Sequence, residues 1–194
     1  MNEITDIFLL SKRKKIKGNR RLVREKVLQI LYALEMSEDS SLQMIFDHIF
    51  NRIFKFDDNF ASRTNKLLKP DEIIELEADY PIEWDIDDRE FGIQLINYYL
   101  ELKDIATQLT NTFSKNWEMN RIAPTDRIII GIAVSEFLKF PEIPVKVTIN
   151  EAIELSKEFS TEKSAHFING LLDSIKKHLI DKKMINKVGR GLIE

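Results

Sequence analysis

Apolar side chains recur at three- and four-residue spacing in nearly every segment of this chain long enough to show a period. That repeat narrows the possible folds more than any other feature. From Arg20 to about Met36 it is carried by Val23, Val27, Ile30, Leu31 and Leu34, and from about Ser41 to Phe56 by Leu42, Ile45, Phe46, Ile49, Phe50 and Ile53. A third stretch, about Arg89 to Trp117, aligns Phe91, Leu95, Tyr98, Leu102, Ile105, Leu109 and Phe113, and its length predicts a break near Lys103–Asp104. Such spacing is one face of a helix with 3.6 residues per turn; a half-buried strand would alternate every second residue, and no alternation runs for long. Pro124 suits a first helical position and opens Thr125–Phe140, which Pro141 and Pro144 end. Thr148 and Glu151 form a capping box ahead of Ile153, Leu155 and Phe159. The last helix spans roughly Lys163 to Asp181, with Phe167, Leu171, Leu172, Ile175 and Leu179 facing inward. Six glycines and five prolines in 194 residues leave short loops between long helices. The expected class is all-α.

Charge is distributed unevenly along this helical chain. Lys12 to Lys26 hold nine basic side chains and one acid, Glu25, a charge of +8 within a chain of −3 overall. A cationic end on an acidic body points to a polyanion at that end and different work elsewhere. Arg20, Arg21 and Arg24 also crowd the start of a helix, where the macrodipole disfavours each cation by about 0.3–1 kcal/mol. Other expected helix starts carry acids instead: Glu90, Asp126, Glu151 and Glu162. The exception marks the best candidate site. Residues 71–90 hold ten carboxylates against Arg89 and read as a solvated acidic connector, since no glycine turn gives them the form of an oxygen-ligand metal loop.

The expected organisation is a basic flexible arm at 1–18, an all-α domain at 19–183 and a tail at 184–194. The domain divides into an N-terminal helical part to about residue 88 and a C-terminal part from about residue 89. No run approaches the ~18 apolar residues of a membrane span, and Ile4–Leu10 has its charges on the wrong side for a secretory signal. The absence of cysteine suits a reducing cytoplasm. His48, His166 and His178 have no metal-site spacing, and no phosphate loop or nucleophile motif appears, so neither an enzyme nor a cofactor is expected. Gly170, inside the last helix, suggests close approach of another helix, Asn169 beside it a buried clamp or a surface group. Trp84 and Trp117, at element ends, suggest covers for the core.

Four blocks resemble the NusB family of bacterial antitermination factors. They are Arg20-Arg21-Leu-Val-Arg24-Glu25-Lys-Val-Leu-Gln29-Ile-Leu-Tyr32-Ala, Ala123-Pro-Thr-Asp126-Arg-Ile-Ile-Ile, Ile143-Pro144-Val-Lys-Val-Thr-Ile149-Asn150-Glu151-Ala152-Ile-Glu154-Leu-Ser-Lys157-Glu-Phe159 and Ser164-Ala-His-Phe167-Ile-Asn169-Gly170-Leu-Leu-Asp173. They stand in the family's order and cover about residues 19–36 and 90–179. The resemblance implies two packed small helical bundles of about seven helices. It further implies pairing with NusE, a small-subunit ribosomal protein, binding of boxA RNA in nascent transcripts, and joining of RNA polymerase with other Nus factors; a homodimer of the free protein is also open.

Carried over by position, the RNA-facing arginines fall on Arg20, Arg21 and Arg24 and the RNA-facing aromatic on Phe167; Tyr32 and Asp126 fall on NusE-facing positions, with Glu136 nearby. Lys14, Lys15, Lys17 and Lys163 would add phosphate contacts, and His166 and Asn169 base contacts, because single strands are read by stacking and hydrogen bonding to splayed bases. Each has a plainer reading: a solvated face for the arginines, core packing for Phe167 and Tyr32, a first-turn acid for Asp126. This chain departs from the family at Ile130-Gly131 and Ser135, where relatives often carry Arg and Tyr, and at Lys163, where they often carry an acid. Three other functions remain open. A NusB-like domain of a ribosomal RNA methyltransferase is disfavoured by the few residues after Asp173. A helix-turn-helix DNA binder and a protein-only scaffold differ from the RNA reading in whether duplex, single strand or neither is bound.

Overall fold

The computed structural model describes residues 16–37, 40–51, 82–114 and 122–192. Among these residues lie six α-helices: α1 (Arg20–Met36), α2 (Leu42–Ile49), α3 (Ile86–Phe113), α4 (Pro124–Lys139), α5 (Val145–Phe159) and α6 (Glu162–Asp181). Side chains cap four of the starts, with the oxygens of Asn19, Ser41, Asp85 and Thr161 accepting from backbone amides three residues on. α4 begins on Pro124, whose ring already fixes a helical φ.

α1 packs on α2, α3 and α4, and α5 and α6 form a hairpin against α4 and the later part of α3. One apolar core joins them, from Val23, Val27 and Leu31 through Phe91, Leu95 and Phe137 to Leu172 and Leu179. The expected division near 88/89 falls inside the first turn of α3, a helix shared by both groups. α3 itself runs unbroken for 28 residues, so the expected break near Lys103–Asp104 is absent. Those two residues lie on its exposed side while Leu102, Ala106 and Thr110 carry the buried stripe onward.

Other expectations shift for equally local reasons. α5 starts a turn before the expected capping box, and the Thr148 hydroxyl donates to Glu136 at 2.8 Å instead of capping a helix. α2 ends at Ile49; the rest of its expected span from residue 52 lies outside the described residues, as do Lys14, Lys15, Trp117 and most of the acidic stretch. The arm expected at 1–18 is pinned at its end. Strand β1 (Ile16–Lys17) pairs in parallel with β2 (Ile82–Glu83), and the Gly18 amide donates to the Glu83 carbonyl at 2.8 Å. Trp84 stacks on Phe50 at 4.4 Å, donates to its carbonyl, and leaves no room for a Cβ at Gly18.

The segment after α6 is also part of the fold. Lys183 adopts φ 55°, and the amides of Lys183 and Met184 reach back to the Ile180 and Leu179 carbonyls, a Schellman ending with lysine where glycine is usual. The chain then crosses the end of α4. The Lys187 ammonium donates to the carbonyls of Glu136 and Phe140 at 3.0 and 2.8 Å, the Val188 amide donates to Pro141 O, and Gly191 packs where a Cβ would strike that carbonyl.

Gly170 does not mark a helix crossing; nothing lies within 4 Å of its would-be Cβ. The crossing is at Gly131, where a Cβ would fall 2.5 Å from the Tyr99 ring. Gly131→Ala gains up to ~1 kcal/mol of helix propensity but must displace that ring, at ~1–3 kcal/mol. A lower urea midpoint is expected, and an unchanged one would show that the ring yields freely. Burial pushes the Tyr99 phenol up to about 12, with Glu35 adding to the shift and Arg127 opposing it. The unfolded chain therefore loses this proton first, and the phenol's contribution to stability, whole below pH ~10, drains away toward pH ~12. Near pH 11 the loss amounts to about 1.4 kcal/mol. Denaturant unfolding of wild type should fall more steeply above pH ~10 than that of Tyr99→Phe; parallel curves would contradict the assignment.

Candidate nucleic-acid and partner interfaces

The first turn of α1 contains no acid, yet its arginines are not left against the helix dipole. Carboxylates distant in sequence meet them. Arg20 lies 3.6 Å from Asp88 and stacks its guanidinium 4.4 Å above the Phe91 ring. Arg21 reaches Glu151 at 3.3 Å and Glu154 at 3.9 Å. Their side chains remain about half exposed, at 48 % and 54 %. Exposed pairs of this kind contribute roughly 0.2–1 kcal/mol, so another anion can replace the carboxylate. Burial, and then Asp85, hold the Asp88 carboxyl above its ordinary range, partly opposed by Arg20.

Arg24 behaves differently. It is 4 % exposed, and its Nε and Nη2 bond both oxygens of the fully buried Glu136 at 2.6 and 3.1 Å. Its remaining nitrogen donates to the Arg20 carbonyl, while Thr148 donates to Glu136 from α5. Burial weighs against the guanidinium's charge, but Glu136 and then Glu151 outweigh it, and its pKa is raised. The expectations of Arg24 on a phosphate and Glu136 on a protein partner are thus both corrected in this conformation. The two groups satisfy each other inside the core, because a charge on a buried helix face is tolerated only when paired.

The α6 residues form an outward row. Lys163, His166 and Asn169 are exposed, and Phe167 is half-buried against the core. Asn169 is a surface group here. α5 stands between this row and α1: Arg21 grips one flank of α5, and α6 packs along it. Lys17 is exposed on β1 beside the start of α1. The candidate RNA residues therefore fall on three neighbouring elements.

The expected partner residues lie toward the other end of α1. Tyr32 is 42 % exposed, about 18 Å along the axis from Arg20 at 1.5 Å per residue. One turn on, Glu35 bonds Arg127 of α4 at 3.0 Å, which brings the end of α1 beside the start of α4. Asp126 sits there in the first turn, where the dipole favours an acid, but it is 5 % exposed and its Oδ1 has no hydrogen-bond partner. Sequence reasoning missed the counter-ions Asp88 and Glu154. Glu151, Glu154 and Glu158 share one stripe of α5, and that spacing was the available signal.

The sequence model described as "NusB family" matches residues 68–177, more than half of the chain. The chain belongs to the NusB family. The transcription antitermination protein NusB of Salinibacter ruber is 33% identical over 176 residues, covering 91% of this chain and 92% of that protein. A span of that length begins no later than residue 19 and so takes in α1, which the NusB family match does not reach. The structure of T. maritima NusB superposes with a TM-score of 0.61 at 28% identity, covering 84% of this chain and 93% of that one. A chain from the crystal structure of antitermination factors NusB and NusE in complex with dsRNA matches with a TM-score of 0.55 at 14% identity, covering 82% of this chain and 96% of that one. At that identity the likeness speaks for the fold alone.

Arg24→Ala is expected to cost about 3–5 kcal/mol in denaturant unfolding, because it strands a buried carboxylate. Arg24→Met combined with Glu136→Leu should recover most of that loss. If Arg24→Ala unfolded like wild type, the pair would not be holding these helices.

Proposed function

We propose that this chain is a transcription antitermination factor that pairs with NusE and binds boxA-like single-stranded RNA of nascent transcripts. Through that pair it joins RNA polymerase and other Nus factors, in the cytoplasm. The membership in the NusB family supports the activity. The observation that carries the RNA assignment is the pair of half-exposed guanidiniums, Arg20 and Arg21, at the one end of an acidic chain where positive charge is concentrated. Lys17, Lys163, His166, Phe167 and Asn169 extend this surface, and Lys14 and Lys15 lead into it. Phe167 offers a ring for a splayed base, and the cations give salt-dependent, sequence-blind attraction to phosphate.

Tyr32 and the neighbouring start of α4 are the proposed NusE surface. Arg24 and Glu136 act from inside, as the support that sets α1 in place. A carboxylate oxygen at Asp126 without a partner suits a basic ribosomal protein approaching that end.

The decisive measurement is a gel shift with a boxA-like strand, with and without NusE, joined to a salt titration. Arg20→Ala and Arg21→Ala should each weaken binding and lower the salt slope by about one phosphate contact. Phe167→Ala should weaken binding by about 1–3 kcal/mol, the usual contribution of a stacked base, with less change in salt slope. Binding that ignores both salt and the arginines would end the RNA reading. Tyr32→Ala should reduce co-purification with NusE while leaving the fold intact.

A further inference from the structure

The cleft into which Arg21 projects is built against a free phosphate. It has a volume of about 200 Å³ and is lined by Arg21, Glu25, Glu151, Glu154, Lys157 and Glu158, with Leu155 at its base. Four carboxylates face two cations there. Glu154 is the most exposed carboxylate paired with Arg21, and it also accepts from Lys157 at 2.7 Å, so one side chain occupies both cations. The carboxyl of Glu154 is held below its ordinary range by the Lys157 hydrogen bond and charge, with a smaller contribution from Arg21, so it stays charged at any working pH.

We propose that Glu154, supported by the acidic stripe of α5, is a specificity-determining residue: it competes with phosphate for Arg21, so that a polyanion without further contacts is turned away. This rests on the RNA reading given above. A strand whose base stacks on the neighbouring α6 row recovers what it loses in displacing Glu154. A strand that offers only backbone charge does not, and discrimination arises from the repulsive element as much as from the attractive one. The stripe thereby offsets the sequence-blind affinity that clustered cations would otherwise give.

The test uses the full chain with NusE and two labelled single strands, one boxA-like and one a scramble of the same composition, titrated by fluorescence anisotropy at several salt concentrations. Glu154→Gln should tighten the scrambled strand about two- to fivefold, the range an exposed ion pair allows, and tighten the boxA-like strand less. Because this change also frees Lys157, the double variant Glu154→Gln with Lys157→Gln restores the net charge and should keep most of the gain. Glu154→Asp, which retains the carboxylate, should behave closer to wild type. Equal tightening of both strands, no tightening, or a gain that vanishes in the double variant would overturn the proposal while wild-type binding left the RNA reading standing. If wild type bound neither strand, that reading would fail, and this one with it.

Discussion

A single buried ion pair sets the geometry on which the surface of this protein depends. Arg24 and Glu136 meet through two hydrogen bonds between α1 and α4, and Thr148 adds a third from α5. Apolar groups of similar volume often stabilise as well or better than such a pair. The pair does fix rotation and register. With Arg24 turned inward beside Val23 and Val27, Arg20 and Arg21 face outward, and the sliding of α1 along α4 that an apolar seam allows would break a bidentate contact.

The helix starts show how charge placement follows from tertiary structure. Three arginines in one opening turn conflict with local helix physics, and the conflict is real at the level of the isolated segment. It is relieved by Asp88 from α3, Glu136 from α4, and Glu151 and Glu154 from α5. A locally unfavourable sequence thus became favourable through partners that no short window contains. The relief is graded. Arg24 is sealed away, while Arg20 and Arg21 keep weak, exchangeable pairs.

Most of the helices could be read from periodicity, because a buried stripe leaves its spacing in the residues themselves. α1, α4 and α6 fall within a residue or so of their expected bounds. The misreadings came where two physical meanings share one pattern. Thr148 and Glu151 have the spacing of a capping box, but a proline a turn earlier had already opened the helix, which freed the threonine for a buried carboxylate. Gly170 looked like a crossing point and is exposed, whereas Gly131, beside a large aromatic ring, is the real one. At the candidate site the sequence located the cations and the row on α6. It could not say which cation would be swallowed by the core, since Arg20, Arg21 and Arg24 differ only in which way the helix turns them.

The likeness to the NusB family stops at residue 177, but the folded unit does not. Beyond it, Lys187 occupies the last carbonyls of α4 and Gly191 seats against Pro141. The stretch works as a clasp on the most deeply enclosed helix of the molecule. A fragment trimmed to the shared region would let the end of that helix fray, although every residue recognisable from relatives had been kept.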